Sequence, residues 1–419
     1  MNTMKIGFSK TDITPPVGTP LGGYAGHRPC AEAHDPLHCR AVVLEQAGKR
    51  YALVAMDLAC VDESLYLGLG DPLGELGITK ERLVVCAIHS HAAPHGVIPG
   101  AGPLDAVNCA AHENTPSFRA YMEDVIRKTT AACRAAIENL EPFRVRVGTG
   151  ATPPVGSERH TGAVPGGNLT VLQCRTESGR LLTIANFPCH PTVLNAQNLQ
   201  PSADFTAGIE ALVGGDLAVF LNGAAGDIST RFTRRESSFA ECARMAEIAA
   251  AHILAALQDQ PFREPEPLVG IHARVNLVPR PIEPLETAQA ALEARTAEWE
   301  AARDAGRDAA ALRLLKSHVE GAWVNLEFAK TMAGIQTLEL PVTVFRFCGL
   351  EFATIPGELY STLQPQGLSV ITYANGYFRY ICPEAAYEAG DYEALAAIVT
   401  RGEGERLIRE IQNLRHRLS

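Results

Sequence analysis

Residues 82–97 read RLVVCAIHSHAAPHGV, an apolar run followed by three histidines, His89, His91 and His95. The run is short, rich in β-branched residues and apolar throughout, which predicts a strand buried on both faces. Because side chains alternate along a strand, His89 and His91 are expected on one face if the extended conformation continues through Ser90. Both imidazoles could then bind one metal ion, or one could bind the ion while the other transfers a proton. The alternative interpretation is a pair of hydrogen-bonded histidines that cap the strand.

The composition argues against several classes of protein. The chain has 419 residues, 46% of them hydrophobic, and a formal net charge of −10. This is typical of a globular protein and argues against nucleic acid or an anionic membrane as partner, because both recruit Lys and Arg. No segment approaches about 18 consecutive apolar residues, and the start MNTMKIGFSKTDITPP has no apolar run before its prolines. We therefore predict a cytoplasmic protein without membrane insertion.

The cysteines predict a reduced protein. There are 11 of them, scattered along the chain and without a C-x-x-C pair, which favours free thiols that pack as small core residues. Cys86 and Cys189 lie one to three positions from His89 and His190. A thiolate metal ligand at either position is the alternative interpretation.

The hydrophobic pattern alternates between strands and helices. It predicts strands at 40–45, 50–56, 83–88, 143–147, 169–174, 181–187, 217–221, 338–346 and 350–355, and helices at 115–137, 239–257 and 405–417. Residues 283–332 differ, being rich in Ala, Glu and Arg, and predict one or two long amphipathic helices. We therefore predict an α/β fold in one domain, 1–419, with a mixed β-sheet core flanked by helices and a helical excursion at 283–332.

Polar residues follow three later strands in the same way that the histidines follow the first. They are His190 in PCHPT after 181–187, Asp227 and Ser229 in NGAAGDIST after 217–221, and Glu358, which we predict at the start of a helix, in PGELYSTL after 350–355. Where such strands run parallel, their carboxyl ends form the ligand-binding edge of the sheet. Two histidines and a carboxylate are the three protein ligands of a catalytic zinc site, which keeps a position for water. The alternatives are a core histidine, a turn aspartate, a loop serine and a glutamate at a helix N-terminus.

Seven segments resemble, in order, the catalytic domain of the neutral (non-lysosomal) ceramidase family. They are GFSKTDITPPVGTPLGGYA, HDPLHCRAVVL, IHSHAAP, NFPCHPTVL, NGAAGDIS, PGELYSTL and ANGYFRYICPEAAYEAGDYEA. The order and number of these segments carry the resemblance, which covers nearly the whole chain apart from 283–332. It implies a short, bacterial-type ceramidase-like hydrolase, a zinc amidohydrolase that cleaves an N-acyl bond.

The resemblance also implies roles for individual residues. The zinc ligands that it implies are His89, His190, Glu358 and Tyr380. It implies that His91 is the acid/base histidine and that Tyr392 hydrogen-bonds the substrate carbonyl. It places Arg159 in the same site and matches Ser229 to a serine discussed as a nucleophile. For Tyr380 the alternative is an aromatic core residue. Metal-bound histidines usually donate their other N–H to a carboxylate or carbonyl, and we expect Asp57, or else Asp204, to be such a carboxylate. Each could instead be a turn residue or helix cap.

Departures from the family bear on the substrate. AAY stands where the family has EEY, and Thr230 follows Ser229 where the family usually has proline. We expect neither the signal sequence nor the β-sandwich domain that secreted ceramidases carry. Ceramide would need an apolar groove at a membrane surface, for which we find no anchor. We therefore predict hydrolysis of a small, soluble N-acyl substrate by metal-activated water, with Zn²⁺ as cofactor and His91 as general acid/base. An esterase or lactonase that uses Ser229 as nucleophile, a true ceramidase, and a metal-binding module without turnover are the alternatives; a homo-oligomer is left open.

Overall fold

The computed structural model describes residues 4–101, 104–109, 112–332 and 334–418. The strands are β1 Lys5–Asp12, β2 His38–Gln46, β3 Lys49–Met56, β4 Cys60–Val61, β5 Leu83–Ala87, β6 His95–Gly96, β7 Glu141–Gly150, β8 Ser157–Glu158, β9 Leu169–Thr176, β10 Leu181–Phe187, β11 Leu217–Asn222, β12 Ile228–Ser229, β13 Val269–Leu277, β14 Leu338–Phe347, β15 Leu350–Thr354, β16 Glu358–Leu359, β17 Ser369–Ile371 and β18 Tyr380–Ile381. The α-helices are α1 Glu63–Gly74, α2 Asp105–Asn108, α3 Pro116–Glu138, α4 Ile209–Val213, α5 Phe239–Leu257, α6 Leu285–Asp304, α7 Ala309–Thr331, α8 Glu384–Ala389, α9 Tyr392–Leu395 and α10 Glu403–His416. Short 3₁₀ helices cover Lys80–Arg82, Asp204–Gly208, Thr230–Phe232 and Ser361–Leu363.

Two β-sheets stack between layers of helices. The larger is an eight-stranded mixed sheet of order β11-β10-β9-β7-β1-β2-β3-β5, and the smaller has the order β13-β14-β15-β17. Phe8 and Val84 of the large sheet share a core with Phe352 of the small one, while α1, α3 and α5 cover the other face of the large sheet. Helices α7 and α10 pack on the outer face of the small sheet. The predicted α/β fold with a mixed sheet flanked by helices is confirmed, including the helical segment within 283–332.

Strand β5 is buried on both faces, as its apolar run predicts. Val85 packs against the helices and Val84 against the second sheet, because successive side chains alternate. The free edge of β5 is covered by the segment 373–375, in which Asn375 accepts a hydrogen bond from the backbone N–H of Val85 and donates one to the carbonyl of Leu83. This contact protects the edge and brings the 373–380 segment to the carboxyl end of the strand.

The carboxyl ends of parallel strands gather the polar residues. β3 runs parallel to β5, β10 to β11 and β15 to β17. Beyond these ends the chain forms three two-stranded ladders, β4–β6, β8–β12 and β16–β18. Glu358 begins β16 and not a helix as predicted, because its backbone N–H bonds the carbonyl of Arg379 at 2.9 Å and so joins a ladder. Among the described residues, no helix has both the length and the apolar character that a membrane span requires.

Candidate metal centre

Three side chains from distant parts of the chain meet where these strands end: His89, His190 and Glu358. The Nε2 atom of His190 lies 3.0 Å from Oε2 of Glu358, and the Nε2 atom of His89 lies 3.5 Å from the same oxygen. All three residues are buried. In a tetrahedral zinc site the bonds are about 2.0–2.1 Å long, so two ligand atoms lie roughly 3.3 Å apart. The observed spacing therefore fits three ligands of one ion.

Hydrogen bonds on the far side of each imidazole decide which nitrogen faces this centre. Nδ1 of His89 lies 2.5 Å from the carbonyl oxygen of Ala59, and Nδ1 of His190 lies 2.9 Å from that of Ile228. Because a carbonyl only accepts, each Nδ1 carries the hydrogen, and in a neutral ring Nε2 then presents a lone pair to the centre. Burial, and after it the charge of Arg159, lowers the pKa of His190 to about 4, so this ring is neutral at pH 7.

Glu358 is the acceptor that these rings face. Burial opposes the ionisation of its carboxyl, but His89 and His190 overcome this effect and hold the pKa of Glu358 well below its usual range. Nε2 of His190 and Oε2 of Glu358 face each other at 3.0 Å. A proton on Nε2 or a metal ion between the two atoms satisfies this contact, and imidazole nitrogen and carboxylate oxygen are ligands that zinc takes. The chemistry of these donor atoms therefore fits a zinc ion.

His91 completes a group of three histidines whose ligand atoms lie within 4.8 Å of one another. Its Nε2 is 3.1 Å from Nε2 of His89, and its Nδ1 is buried without a hydrogen-bond partner in the described chain. Burial, and then His89, lowers the pKa of His91 well below its usual value, so its ring is neutral. This geometry is compatible both with a further metal ligand and with a proton acceptor beside the metal.

The chain brings His89 and His91 together by leaving the strand conformation. β5 ends at Ala87, and His89 has a φ of +71°, in the left-handed region. The backbone is therefore not extended through Ser90, and the two rings meet by another route than strand alternation. Such a backbone costs about 1–3 kcal/mol outside glycine. It is held by a hydrogen bond from the backbone N–H of His89 to the carbonyl of Leu58 and by stacking of the ring on Tyr373, with centroids 4.0 Å apart.

A parallel ladder positions Glu358 and Tyr380 as neighbours. The two residues lie directly opposite each other in the β16–β18 pairing, and residues paired in this way project their side chains from the same face. The hydroxyl of Tyr377 donates a hydrogen bond of 2.5 Å to Oε1 of Glu358. This bond leaves Oε2 directed at the two histidines. The predicted ligands Glu358 and Tyr380 are thus brought to the same place by strand register.

Arg159 connects Tyr380 to a second buried carboxylate. Its Nη1 donates to Oε1 of Glu393 at 2.9 Å and to the hydroxyl of Tyr380 at 3.4 Å. Burial opposes the ionisation of Glu393, but hydrogen bonds from His160 and Arg159 and the charge of Arg159 lower its pKa to about 2. Tyr392 packs its ring edge-on to Tyr380 with centroids 6.0 Å apart. Arg159, Tyr380 and Tyr392 therefore form one cluster, as the resemblance implies.

Ser229 and Asp227 lie on the same short segment but differ in their contacts. Ser229 forms a β-bridge with His190, and its Oγ is buried without a hydrogen-bond partner in the described chain. Asp227 accepts hydrogen bonds from the backbone N–H and the hydroxyl of Ser361, at 2.6 and 2.7 Å. Asp227 therefore holds the turn that follows Glu358, whereas Ser229 lies beside a candidate ligand.

Two predicted carboxylates and two cysteines do not support the centre. Asp57 accepts a hydrogen bond from Arg40 at 2.7 Å, and Asp204 accepts bonds from backbone N–H groups of its own loop and its neighbour. The prediction that either one orients a ligand histidine is wrong, because backbone carbonyls occupy both positions. Cys86 and Cys189 are buried free thiols. Burial raises the pKa of Cys86 to about 12 and that of Cys189 well above its usual value, which disfavours thiolate ligands.

A glycine segment covers His91. A Cβ at Gly23 would lie 2.3 Å from Cγ of His91, and Gly23 has a φ of +81°, so glycine is required for both reasons. Nη1 of Arg28 donates to the carbonyls of Gly22 and His91, at 3.0 Å each. The ring of Tyr24 packs edge-on to His91 with centroids 4.7 Å apart. The imidazole of His91 is therefore held by close packing as well as by its neighbour in the centre.

Sequence reasoning missed the residues that orient the candidate ligands. They are Tyr373, Tyr377, Glu393 and the carbonyls of Ala59 and Ile228. A signal existed for the tyrosines, because YANGYFRY at 373–380 holds four aromatic residues in eight positions. No sequence signal identifies the carbonyls of Ala59 and Ile228, because every residue carries a backbone carbonyl group.

Comparisons with known proteins support the fold and not the family. No protein-family model matches the sequence, and a search of curated proteins gives no significant match. The neutral ceramidase from Pseudomonas aeruginosa aligns with 100% of this chain and 75% of its own, with a TM-score of 0.77 and 16% identity. A ceramidase solved in complex with C2 aligns with 100% of this chain and 76% of its own, with a TM-score of 0.73 and 16% identity. The resemblance seen in the sequence is confirmed at the level of structure: the chain has a neutral ceramidase-like fold.

Proposed function

We propose that this chain is a cytoplasmic, zinc-dependent hydrolase that cleaves the N-acyl amide bond of a small, soluble substrate. One observation carries the proposal: Nε2 of His190 and Nε2 of His89 converge on Oε2 of Glu358 at 3.0 and 3.5 Å, which is the spacing of ligand atoms around one zinc ion. A zinc ion at this point would be bound by all three atoms, and imidazole nitrogen and carboxylate oxygen are ligands that zinc takes. The neutral ceramidase-like fold supports amide hydrolysis as the reaction, because the structural neighbours are ceramidases.

The ion would be held by His89, His190, Glu358 and Tyr380. A bound zinc ion supplies a water of lowered pKa and polarises the substrate carbonyl. The hydrogen bonds that the imidazoles donate to the carbonyls of Ala59 and Ile228, and the one that Tyr377 donates to the carboxylate, keep the ligand atoms directed inward. Such supporting contacts raise metal affinity and fix the ligand orientation.

His91 is the residue that moves the proton. Its ring is neutral and its Nε2 lies 3.1 Å from Nε2 of the candidate ligand His89, so Nε2 can accept a proton from the attacking water. An amine is a poor leaving group as an anion, and His91 can then return the proton to the departing nitrogen. His91 therefore begins the cycle as a base and acts as an acid in the second half of the reaction.

Tyr392 and Arg159 supply donors to the carbonyl oxygen as it gains negative charge. Burial raises the pKa of Tyr392 to about 12, so its hydroxyl keeps its proton at neutral pH and remains a donor. Arg159 is held beside Tyr380 by its ion pair with Glu393. Donors that are already in place when charge develops stabilise the transition state without reorganisation.

A second candidate is ester or lactone hydrolysis with Ser229 as nucleophile. The buried, unpartnered hydroxyl beside His190 favours it. A serine nucleophile needs a base within hydrogen-bond reach, and the described residues provide none for Ser229. The water route is therefore preferred. Retention of zinc with complete loss of turnover in Ser229→Ala would instead favour the serine route.

The experiment begins with metal analysis of the purified protein and of His89→Ala/His190→Ala. We expect about one zinc per wild-type chain and none in the double variant, while His272→Ala, whose Nδ1 contacts Thr343 away from the centre, keeps its zinc. A panel of N-acyl amines and N-acyl amino acids, one ceramide and matched esters then identifies the bond that is cleaved. A full equivalent of tightly bound metal in the double variant would contradict the site, and turnover of esters alone would contradict amide hydrolysis.

A further inference from the structure

Five polar atoms around the centre are buried and have no hydrogen-bond partner in the described chain. They belong to His91, Ser157, Arg159, Ser229 and Tyr373. Buried polar atoms without partners are rare in folded proteins, and a set of them in one place calls for partners that the chain itself does not supply, such as water, an ion or a bound molecule. Ser157 has no role in the reaction proposed above. Ser157 is 1% exposed and Ser229 is 4% exposed, and the hydroxyl oxygens of both residues are buried.

Strand register places three of these groups on one surface. In the β8–β12 ladder, Ser157 lies directly opposite Ser229. Arg159 follows two residues after Ser157 and bonds through its backbone N–H to the carbonyl of Asp227, which continues the antiparallel pairing. Because alternate residues of a strand share a face, the side chains of Ser157, Ser229 and Arg159 project to the same side. Ser229 also bridges to His190, so this surface adjoins the metal centre.

The three groups offer donors on one side of an anchored guanidinium. Nη1 of Arg159 is engaged by Glu393, Gly226 and Tyr380, whereas its Nε has no partner in the described chain. An Nε–H can only donate, and each serine hydroxyl can donate as well. A planar carboxylate, with two oxygens that only accept, matches three donors of this kind, and bonds from an arginine to a carboxylate are among the stronger ones.

We propose that Ser157, Ser229 and the Nε–H of Arg159 form a carboxylate-binding subsite, and that the substrate is an N-acyl amino acid. The inference rests on the proposed function for the reaction and adds the class of the amine half. Ser157 is its most specific element, because its hydroxyl contributes nothing else to the described structure.

The test compares two substrates that differ in one group. N-octanoylglycine and N-octanoylethanolamine share the acyl chain and the length of the amine, but one ends in a carboxylate and the other in a hydroxyl. We expect the wild-type holoenzyme to prefer the glycine compound in kcat/KM by about 10-fold or more, and Ser157→Ala to lower this ratio by about 10-fold, as for the loss of one charge-assisted hydrogen bond. The melting temperature of Ser157→Ala should be equal to or above that of the wild type, because the removed hydroxyl has no protein partner.

Ser202→Ala is the control. Ser202 is equally buried, and its hydroxyl accepts a hydrogen bond of 3.0 Å from the backbone N–H of Asp204. This variant should lower stability and leave the substrate ratio unchanged. A ratio that Ser157→Ala does not change, or a wild-type preference for the ethanolamine compound, would overturn the subsite.

Binding separates the subsite from the reaction. If zinc-loaded protein hydrolyses neither compound, isothermal titration with N-octanoylglycine replaces turnover as the readout. A Kd about 10-fold weaker in Ser157→Ala would then support the subsite although amide hydrolysis fails. Equal Kd values, or no binding to the wild type, would overturn it.

Discussion

Replacing Tyr377 with phenylalanine tests whether the hydrogen bond behind Glu358 supports metal binding. The hydroxyl of Tyr377 donates to Oε1 of Glu358 at 2.5 Å, and both side chains are buried. Phenylalanine keeps the aromatic ring, whose centroid lies 6.4 Å from that of Tyr373 and which lies beneath the guanidinium of Arg379. The substitution therefore removes one charge-assisted hydrogen bond and leaves a buried carboxylate oxygen without its donor, a loss of about 1.5–3 kcal/mol.

Part of this free-energy loss also destabilises the metal-free protein, so only the remainder weakens metal binding. The expected loss of metal affinity is therefore the one known for residues that hydrogen-bond a metal ligand. We expect zinc to bind about 10–100-fold more weakly to Tyr377→Phe, measured by competition with a chromophoric chelator at fixed pH. Tyr387→Phe is the matched control, because its hydroxyl bonds the carbonyl of Val399 at 2.8 Å, remote from Glu358. Wild-type affinity in Tyr377→Phe, or an equal loss in both variants, would refute the reasoning.

Three further predictions concern the surroundings of the centre. His91→Ala should keep zinc while turnover falls by roughly 10²–10⁴-fold if His91 transfers the proton; zinc loss in metal analysis would make it a ligand. Gly23→Ala should displace the His91 ring and lower kcat by about 10-fold or more, with zinc retained. Gly26→Ala is the control and should keep the wild-type kcat, because Gly26 has a similar φ but no neighbour within 4 Å of an added Cβ. Equal rates in the two variants would show that the contact with His91 is unimportant. The pKa of Glu393 is lowered from 4.5 to about 2 in the folded protein, so its stabilisation is complete above pH 4.5 and is lost as pH falls through about 2. Glu393→Gln should therefore cost about 3 kcal/mol near neutral pH, and its difference from the wild type in denaturant unfolding should shrink over that window; a constant difference would contradict the assignment.

Several features of this protein could be predicted from the sequence because they depend on local periodicity. The apolar run at 83–88 predicts β5 and its burial on both faces, and the bounds predicted for β10 and α5 agree with those observed. The spacing of apolar residues indicates whether a strand is buried on one face or on both. The same reasoning places polar residues at the ends of parallel strands, and this is where His89, His190 and Glu358 meet.

Tertiary structure decided how these side chains are oriented. The nitrogen that each histidine presents depends on carbonyls 30 and 38 residues away in sequence, and Asp57, expected behind a ligand, is instead paired with Arg40. Glu358 joined a strand because its backbone met that of Arg379, and Ser157 reached Ser229 through ladder register. Local sequence encodes which groups are buried and polar, but a hydrogen bond needs a partner at about 3 Å in the right direction, and only the packed chain determines which of many equivalent groups lies there.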